Sequence, residues 1–191
     1  MYRRIASVAA ALIIGVAVSA PAPALAASDP PAVCTVGGVA VPDGVPLPEE
    51  IPTVISCFDT VAEAEQFIAD GAPGDLEQLP APAAAARSSF ATASTVIVGK
   101  AYTGTSRGGT ALIHWGSGSG CYGVTFGFPT LAATWNNNVY SAEGLSNCWS
   151  SQYDGTSYTG SKITCTPYCA TLGALAGKTS SIVYRPVGSF G

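Results

Sequence analysis

The chain repeats one local plan, and that repeat limits the folds open to it. Tyr153-Asp-Gly-Thr-Ser-Tyr158-Thr-Gly160 leads into Ser161-Lys-Ile-Thr-Cys165 and closes on Lys178-Thr-Ser-Ser-Ile-Val-Tyr-Arg185. Earlier, Tyr102-Thr-Gly-Thr-Ser-Arg107-Gly-Gly109 leads into Thr110-Ala-Leu-Ile-His-Trp115 and closes on Trp135-Asn-Asn-Asn-Val-Tyr-Ser141. Each copy is an aromatic, a turn ending in glycine, a short alternating run and a polar loop ending in serine. Glycine at the end of the turn supplies a φ > 0 position without steric cost, and the preceding aromatic can fold over it. Two copies of one supersecondary unit are expected to bury their apolar faces against each other. Four short strands with one long return connection form a Greek key, and two such keys stack as a sandwich. The reading is an all-β fold of two Greek keys.

At these residues the chain resembles the βγ-crystallin family, whose hairpin signature is an aromatic, four residues, an aromatic, any residue and glycine. The Tyr153 copy carries the whole signature; the first copy has Arg107 at the second aromatic position. Within that fold, Lys162-Ile-Thr-Cys165-Thr-Pro-Tyr-Cys169 is similar to the inhibitory segment of the small secreted metalloproteinase inhibitors of actinobacteria. The resemblance covers residues 94–187. It implies a proteinase inhibitor that acts through a loop of Cys165, Thr166, Pro167, Tyr168 and Cys169, closed by a disulfide, with cleavage resisted at Cys165–Thr166. The segment departs from the family in having one residue fewer between its cysteines, Thr166 where the family has an apolar residue, and Pro167 beside the bond that would be cut. The same resemblance admits an alternative, a non-inhibitory structural or envelope module that binds calcium weakly.

Family calcium sites pair Asn/Asp-Asn/Asp-x-x-Ser/Thr-Ser loops, and oxygen-rich loops suit that hard cation. Asn136, Asn137 and Ser141 supply part of the first loop, with Tyr140 at the Ser/Thr position. The second keeps Ser180 and Ser181, but has Ala176 and Gly177 where side-chain oxygens are needed, and Lys178 adds positive charge. No cofactor is expected beyond weak calcium binding at Asn136, Asn137, Ser141 and Ser181.

Compartment follows from the ends of the chain and its cysteines. Residues 1–26 read as an export signal: Arg3 and Arg4, an apolar core from Ile5 to Val18, and Ala24-Leu-Ala26 as a small-residue cleavage site. The expectation is a secreted, extracellular protein without a membrane span. All six cysteines, Cys34, Cys57, Cys121, Cys148, Cys165 and Cys169, follow the signal, and an even count in an oxidising compartment reads as three disulfides. Many pairings are possible; joining neighbours is the simplest. With one histidine and no Cys-x-x-Cys, zinc is a poor reading.

Charge divides the chain. Between Ala27 and Ala86 there are ten acids and no base; from Arg87 to Gly191 there are two acids and six bases. Residues 27–75 therefore read as an acidic leader with a short helix, marked by the capping box Thr60-Val-Ala-Glu63 (Asp59 the rival cap), apolar Val61, Ala64, Phe67 and Ile68, and a stop at Gly71. Val36-Gly-Gly-Val39 is too glycine-rich to read as a strand. Residues 76–93 are a Pro/Ala linker, with Arg87 open to proteolysis, and 94–191 the Greek-key domain. The acidic leader reads as solubilising charge, with a cover over the basic domain as the sharper alternative. Phe126, Phe128, Leu131 and Trp135 are expected between the keys.

Enzymatic readings lack gathered groups. His114, the lone histidine, is expected on a strand facing solvent, without an acid placed to orient it for a triad. Gly173 to Thr179 resembles a phosphate loop only superficially, because Leu172 occupies the first glycine position. Without a strong basic patch or aromatic platform, nucleic acid is not an expected partner. The expected partner is an extracellular protease, met by a monomer that is not itself an enzyme.

Overall fold

The computed structural model describes residues 33–80 and 94–190; the export-signal reading and Arg87 lie outside them. In chain order the elements are β1 (Val33–Pro42), β2 (Ile55–Phe58), α1 (Val61–Ala69), β3 (Thr95–Tyr102), β4 (Ala111–Ser117), β5 (Val124–Phe128), β6 (Ser141–Gly144), β7 (Cys148–Tyr153), β8 (Lys162–Cys165), β9 (Tyr168–Cys169) and β10 (Ser181–Pro186). The strands β3 to β6 form one Greek key and β7 to β10 the second. Each key lends its third strand to the other: β4-β3-β6 continues into β9, and β8-β7-β10 continues into β5. This is the βγ-crystallin-like sandwich, reached here through the strand register itself.

The segment expected as a separate leader contributes the strand that joins the two sheets. Val33–Gly38 runs parallel to β4, Val33 opposite Ala111 and Gly38 opposite Gly116. Val39–Pro42 then runs antiparallel to β5, Val39 opposite Gly127. The glycines that argued against a strand are what make this strand possible. A Cβ on Gly37 would lie 2.8 Å from Trp115, and one on Gly38 would lie 2.5 Å from Phe128. Side chains there would collide with two core aromatics.

The helix is capped by Thr60, whose hydroxyl accepts from the Glu63 amide while the Glu63 carboxylate accepts from the Thr60 amide. It buries Ala64 and Ile68 and leaves Val61 largely exposed. Its apolar side forms a second core with Val33, Ile113 and Trp115 on the outer face of β4. The principal core lies between the sheets and contains Phe126, Phe128, Leu131 and Trp135, as expected. With both faces of β4 covered, its alternation survives but neither face is wet.

His114 is therefore buried, not facing solvent. It is fully covered, packs edge-on against Phe128 at 4.5 Å between centroids, and its Nδ1 lies 3.0 Å from Tyr184 Oη. Burial pulls its pKa down to about 3, against a smaller opposing effect of a backbone hydrogen bond at Leu112. A neutral imidazole held by a tyrosine in an aromatic core is a packing group.

Disulfides join Cys34 to Cys57, Cys121 to Cys148 and Cys165 to Cys169, and no cysteine is free. The edges of β4 and β5 are covered by β1, whereas no described strand pairs with the outer edges of β8 and β9. Those edges are blunted: four and two residues long, with Lys162 on one, Pro167 before the other and a disulfide between.

Candidate functional site

The two hairpins show why the repeat has its form. Ser106, Arg107 and Gly109 adopt φ of 53, 64 and 74°, and Ser157, Tyr158 and Gly160 adopt 51, 62 and 82°. The left-handed stretch thus includes two non-glycine residues per copy, which the glycine signal alone does not disclose. Each hairpin is latched by the serine that closes its repeat. Ser141 Oγ donates to Gly104 O at 2.7 Å and accepts from the Arg107 amide at 3.1 Å. Ser181 Oγ donates to Gly155 O at 2.7 Å and accepts from the Tyr158 amide at 3.0 Å.

Those latches bear on calcium. Of the four expected ligands, Ser141 and Ser181 hold backbone groups of their own hairpins. Asn137 is a turn residue with φ 59°, its amide donating to Thr179 O at 2.9 Å. Ala176 and Gly177 offer no side-chain oxygen and Lys178 follows them in the chain, so the second loop supplies fewer oxygen ligands than the first. No group of three or more His, Cys, Asp or Glu suited to a metal occurs among the described residues.

The Cys165–Cys169 ring lies where the chain crosses from the edge of one sheet to the edge of the other. Thr166 and Pro167 are exposed and Cys165 is buried. The expected exposed Pro-Tyr pair is half present: Tyr168 is partly buried because the Arg107 guanidinium lies over its ring, 3.9 Å from the centroid. Backbone bonds fix both sides of the ring, from the Gly144 amide to Pro167 O and from the Ser106 amide to Ala170 O, each 2.8 Å.

Arg107 is itself held. Its Nε and Nη2 donate to Glu143 Oε2 at 2.9 and 2.6 Å, and Tyr102 Oη donates to Glu143 Oε1 at 2.5 Å. Burial alone would raise the Glu143 pKa; hydrogen bonds from Arg107 and Tyr102, with the charges of Arg107 and Lys100, outweigh it and hold the carboxyl below its usual range. Burial first, then Glu143, pushes the Tyr102 phenol up. Lys100, across from Glu143 in the sheet, pairs with Glu65 of α1 at 2.6 Å. A chain of charges thus runs from the acidic helix to the ring. In sequence, Glu143 is one of two acids after Arg87 with no placement that recommends it, and Arg107 is a departure from the hairpin signature. Arg107 sits in the turn between β3 and β4 and Glu143 on β6, so the pair is visible only in the folded chain, where β6 lies between β3 and β9.

No family model matches the chain, and no curated protein matches it. Among solved structures it is similar to the N-terminal domain of Protein S, at 16% identity over 47% of this chain and 97% of that one, with a TM-score of 0.36. At that distance the likeness carries no functional argument, and the fold rests on the strand register. No helix among the described residues is long and apolar enough to cross a membrane. Three disulfides suit an oxidising compartment.

Proposed function

We propose that this protein is an extracellular proteinase inhibitor, directed at a metalloproteinase, that presents Thr166–Pro167 to its target. One observation carries the reading: two exposed residues are held between a disulfide and two backbone hydrogen bonds, while the flanking Cys165 and Tyr168 are partly or wholly covered. A segment so constrained loses little conformational entropy when an enzyme grips it. A cut at Cys165–Thr166 would leave both ends tied by the disulfide, ready to rejoin.

The decisive experiment is a panel of secreted metallo-, serine and cysteine proteinases titrated with the purified protein. Tight, stoichiometric inhibition of a metalloproteinase is expected, and Tyr168→Ala should weaken it by about 2 kcal/mol, because truncating an anchored aromatic in a contact commonly costs that much. Inhibition of none of the panel would reduce the ring to a staple between two sheet edges.

A further inference from the structure

The repeats solve one packing problem in two ways. Tyr168 of β9 stands opposite Glu143 of β6, as Gly127 of β5 stands opposite Val183 of β10. Arg107 and Tyr158 hold the same left-handed position in their hairpins. In one pairing the bulk is on the hairpin: Tyr158 lies so close over Gly127 that a Cβ there would overlap its hydroxyl. In the other the bulk is on the strand, and the hairpin contributes a flat cation that covers Tyr168. Only the second arrangement adjoins the Cys165–Cys169 ring, and only it carries a buried carboxylate, Glu143, to fix the covering group.

We propose that Arg107 is a positioning residue for the ring: anchored on Glu143, it clamps Tyr168 and so sets the geometry of Thr166–Pro167. The consequence for partners rests on the inhibitor reading above. The surface offered to the proteinase is then composite, the ring from one repeat and the Arg107 hairpin from the other. The Arg107 side chain is 50% exposed, and its Nη1 makes no hydrogen bond among the described residues, so it stands at the rim of the same face. The Ser106 amide, beside Arg107, donates to Ala170 O just past the ring, which ties the hairpin to the segment that leaves the ring.

Two readouts in the full chain separate the clamp from the inhibitor reading. In Arg107→Gln, hydrogen exchange at the Gly144 and Ser106 amides, which bond to Pro167 and Ala170, should accelerate while the melting temperature stays within a few degrees. Inhibition of thermolysin, used as the probe, should weaken about tenfold, the effect of losing roughly 1.4 kcal/mol. Arg107→Lys, which keeps a cation but not the two-pronged grip on Glu143, should recover part of each. The double change Arg107→Tyr with Tyr168→Gly imports the other repeat's packing; it should fold, keep the disulfide and still inhibit poorly. Unchanged exchange in Arg107→Gln overturns the clamp, whatever the inhibition. Faster exchange with undiminished inhibition overturns its role in recognition. A wild type that leaves thermolysin and the rest of the panel untouched sinks the inhibitor reading, and exchange alone then decides the clamp.

Discussion

Gly38 lies beneath the ring of Phe128, so close that a Cβ would come within 2.5 Å of the ring's far carbon. The pair marks the point where β1 leaves one sheet for the other: Gly38 is the last residue paired with β4 and Val39 the first paired with β5. Phe128 is almost wholly buried in the principal core, so a Cβ on Gly38 would force the ring to shift among its packed neighbours. Gly38→Ala should therefore destabilise the protein by about 1–3 kcal/mol, the range for overpacking a filled interior. Phe128→Leu added to it should restore part of the loss, a coupling that urea titration of the two single changes and the double would reveal. Additive effects would mean that the two residues do not meet as described.

Much of the fold was open to pattern reading, because a repeat with glycine-ended hairpins is a local signal. What stayed hidden was non-local. Val36-Gly-Gly-Val39 lacks the side chains by which a strand is recognised, since the bulk that fills its place comes from Trp115 and Phe128 far along the chain. His114 reads as solvent-facing because Ile113 and Trp115 beside it are the more apolar residues; in the fold these face α1, and His114 turns into the core against Phe128 and Tyr184. At the site, the short span from Cys165 to Cys169 is conspicuous, whereas Arg107, in a turn, and Glu143, on β6, are far apart in sequence and meet only through their side chains in the folded chain.

A central β1 changes what proteolysis after Arg87 should do. Arg87 lies outside the described residues, but the bonds on either side of it are informative. No disulfide joins residues 33–80 to 94–190, yet β1 pairs with β4 and β5 and α1 packs on β3 and β4. Lys100 adds an ion pair with Glu65, while most acids of the first segment make no ion pair among the described residues. The two pieces are held by strands and apolar packing more than by charge. A single cut should leave a two-chain complex that co-elutes on gel filtration in high salt and separates only in denaturant. Free, folded 88–191 after such a cut would show that β1 is dispensable.

Stability should fall on mild acidification because of His114, the chain's single histidine. Its folded pKa is about 3 against an ordinary 6.5, so the unfolded chain binds the proton first. The stabilisation is complete above the unfolded value and is lost as pH drops from about 6.5 toward 3, on the order of 5 kcal/mol over the whole range. Glu143 contributes in the same direction but later. Its folded pKa is lowered, so its share is present above the ordinary carboxylate range and is lost as pH falls through that lower value. Between pH 6 and 5 the slope should belong to His114. Urea midpoints that change equally over that interval in wild type and His114→Gln would contradict this assignment.

Opening the ring tests what the Cys165–Cys169 disulfide contributes to function. The ring closes a span of only four residues, so it removes little loop entropy from the unfolded chain and adds modestly to global stability. Its effect is local, on Thr166 and Pro167, which are the exposed members of the crossing. Replacing both cysteines with serine should therefore leave β7, β8 and the rest of the second sheet paired, with a melting temperature lowered by a few degrees. The proteinase should respond differently. On the inhibitor reading proposed above, a cut between residues 165 and 166 without the covalent tie frees two ends that can part, so the opened protein should be consumed as a substrate. Mass spectrometry of the opened protein incubated with a susceptible metalloproteinase should show one early cleavage at that bond. On the same reading, Thr166→Val in the closed ring, which adds apolar surface at the exposed crossing, should tighten inhibition. An opened ring that inhibits as tightly as the closed one, and survives intact, would place the contact on another surface, with the Gly116–Gly120 loop the next to test.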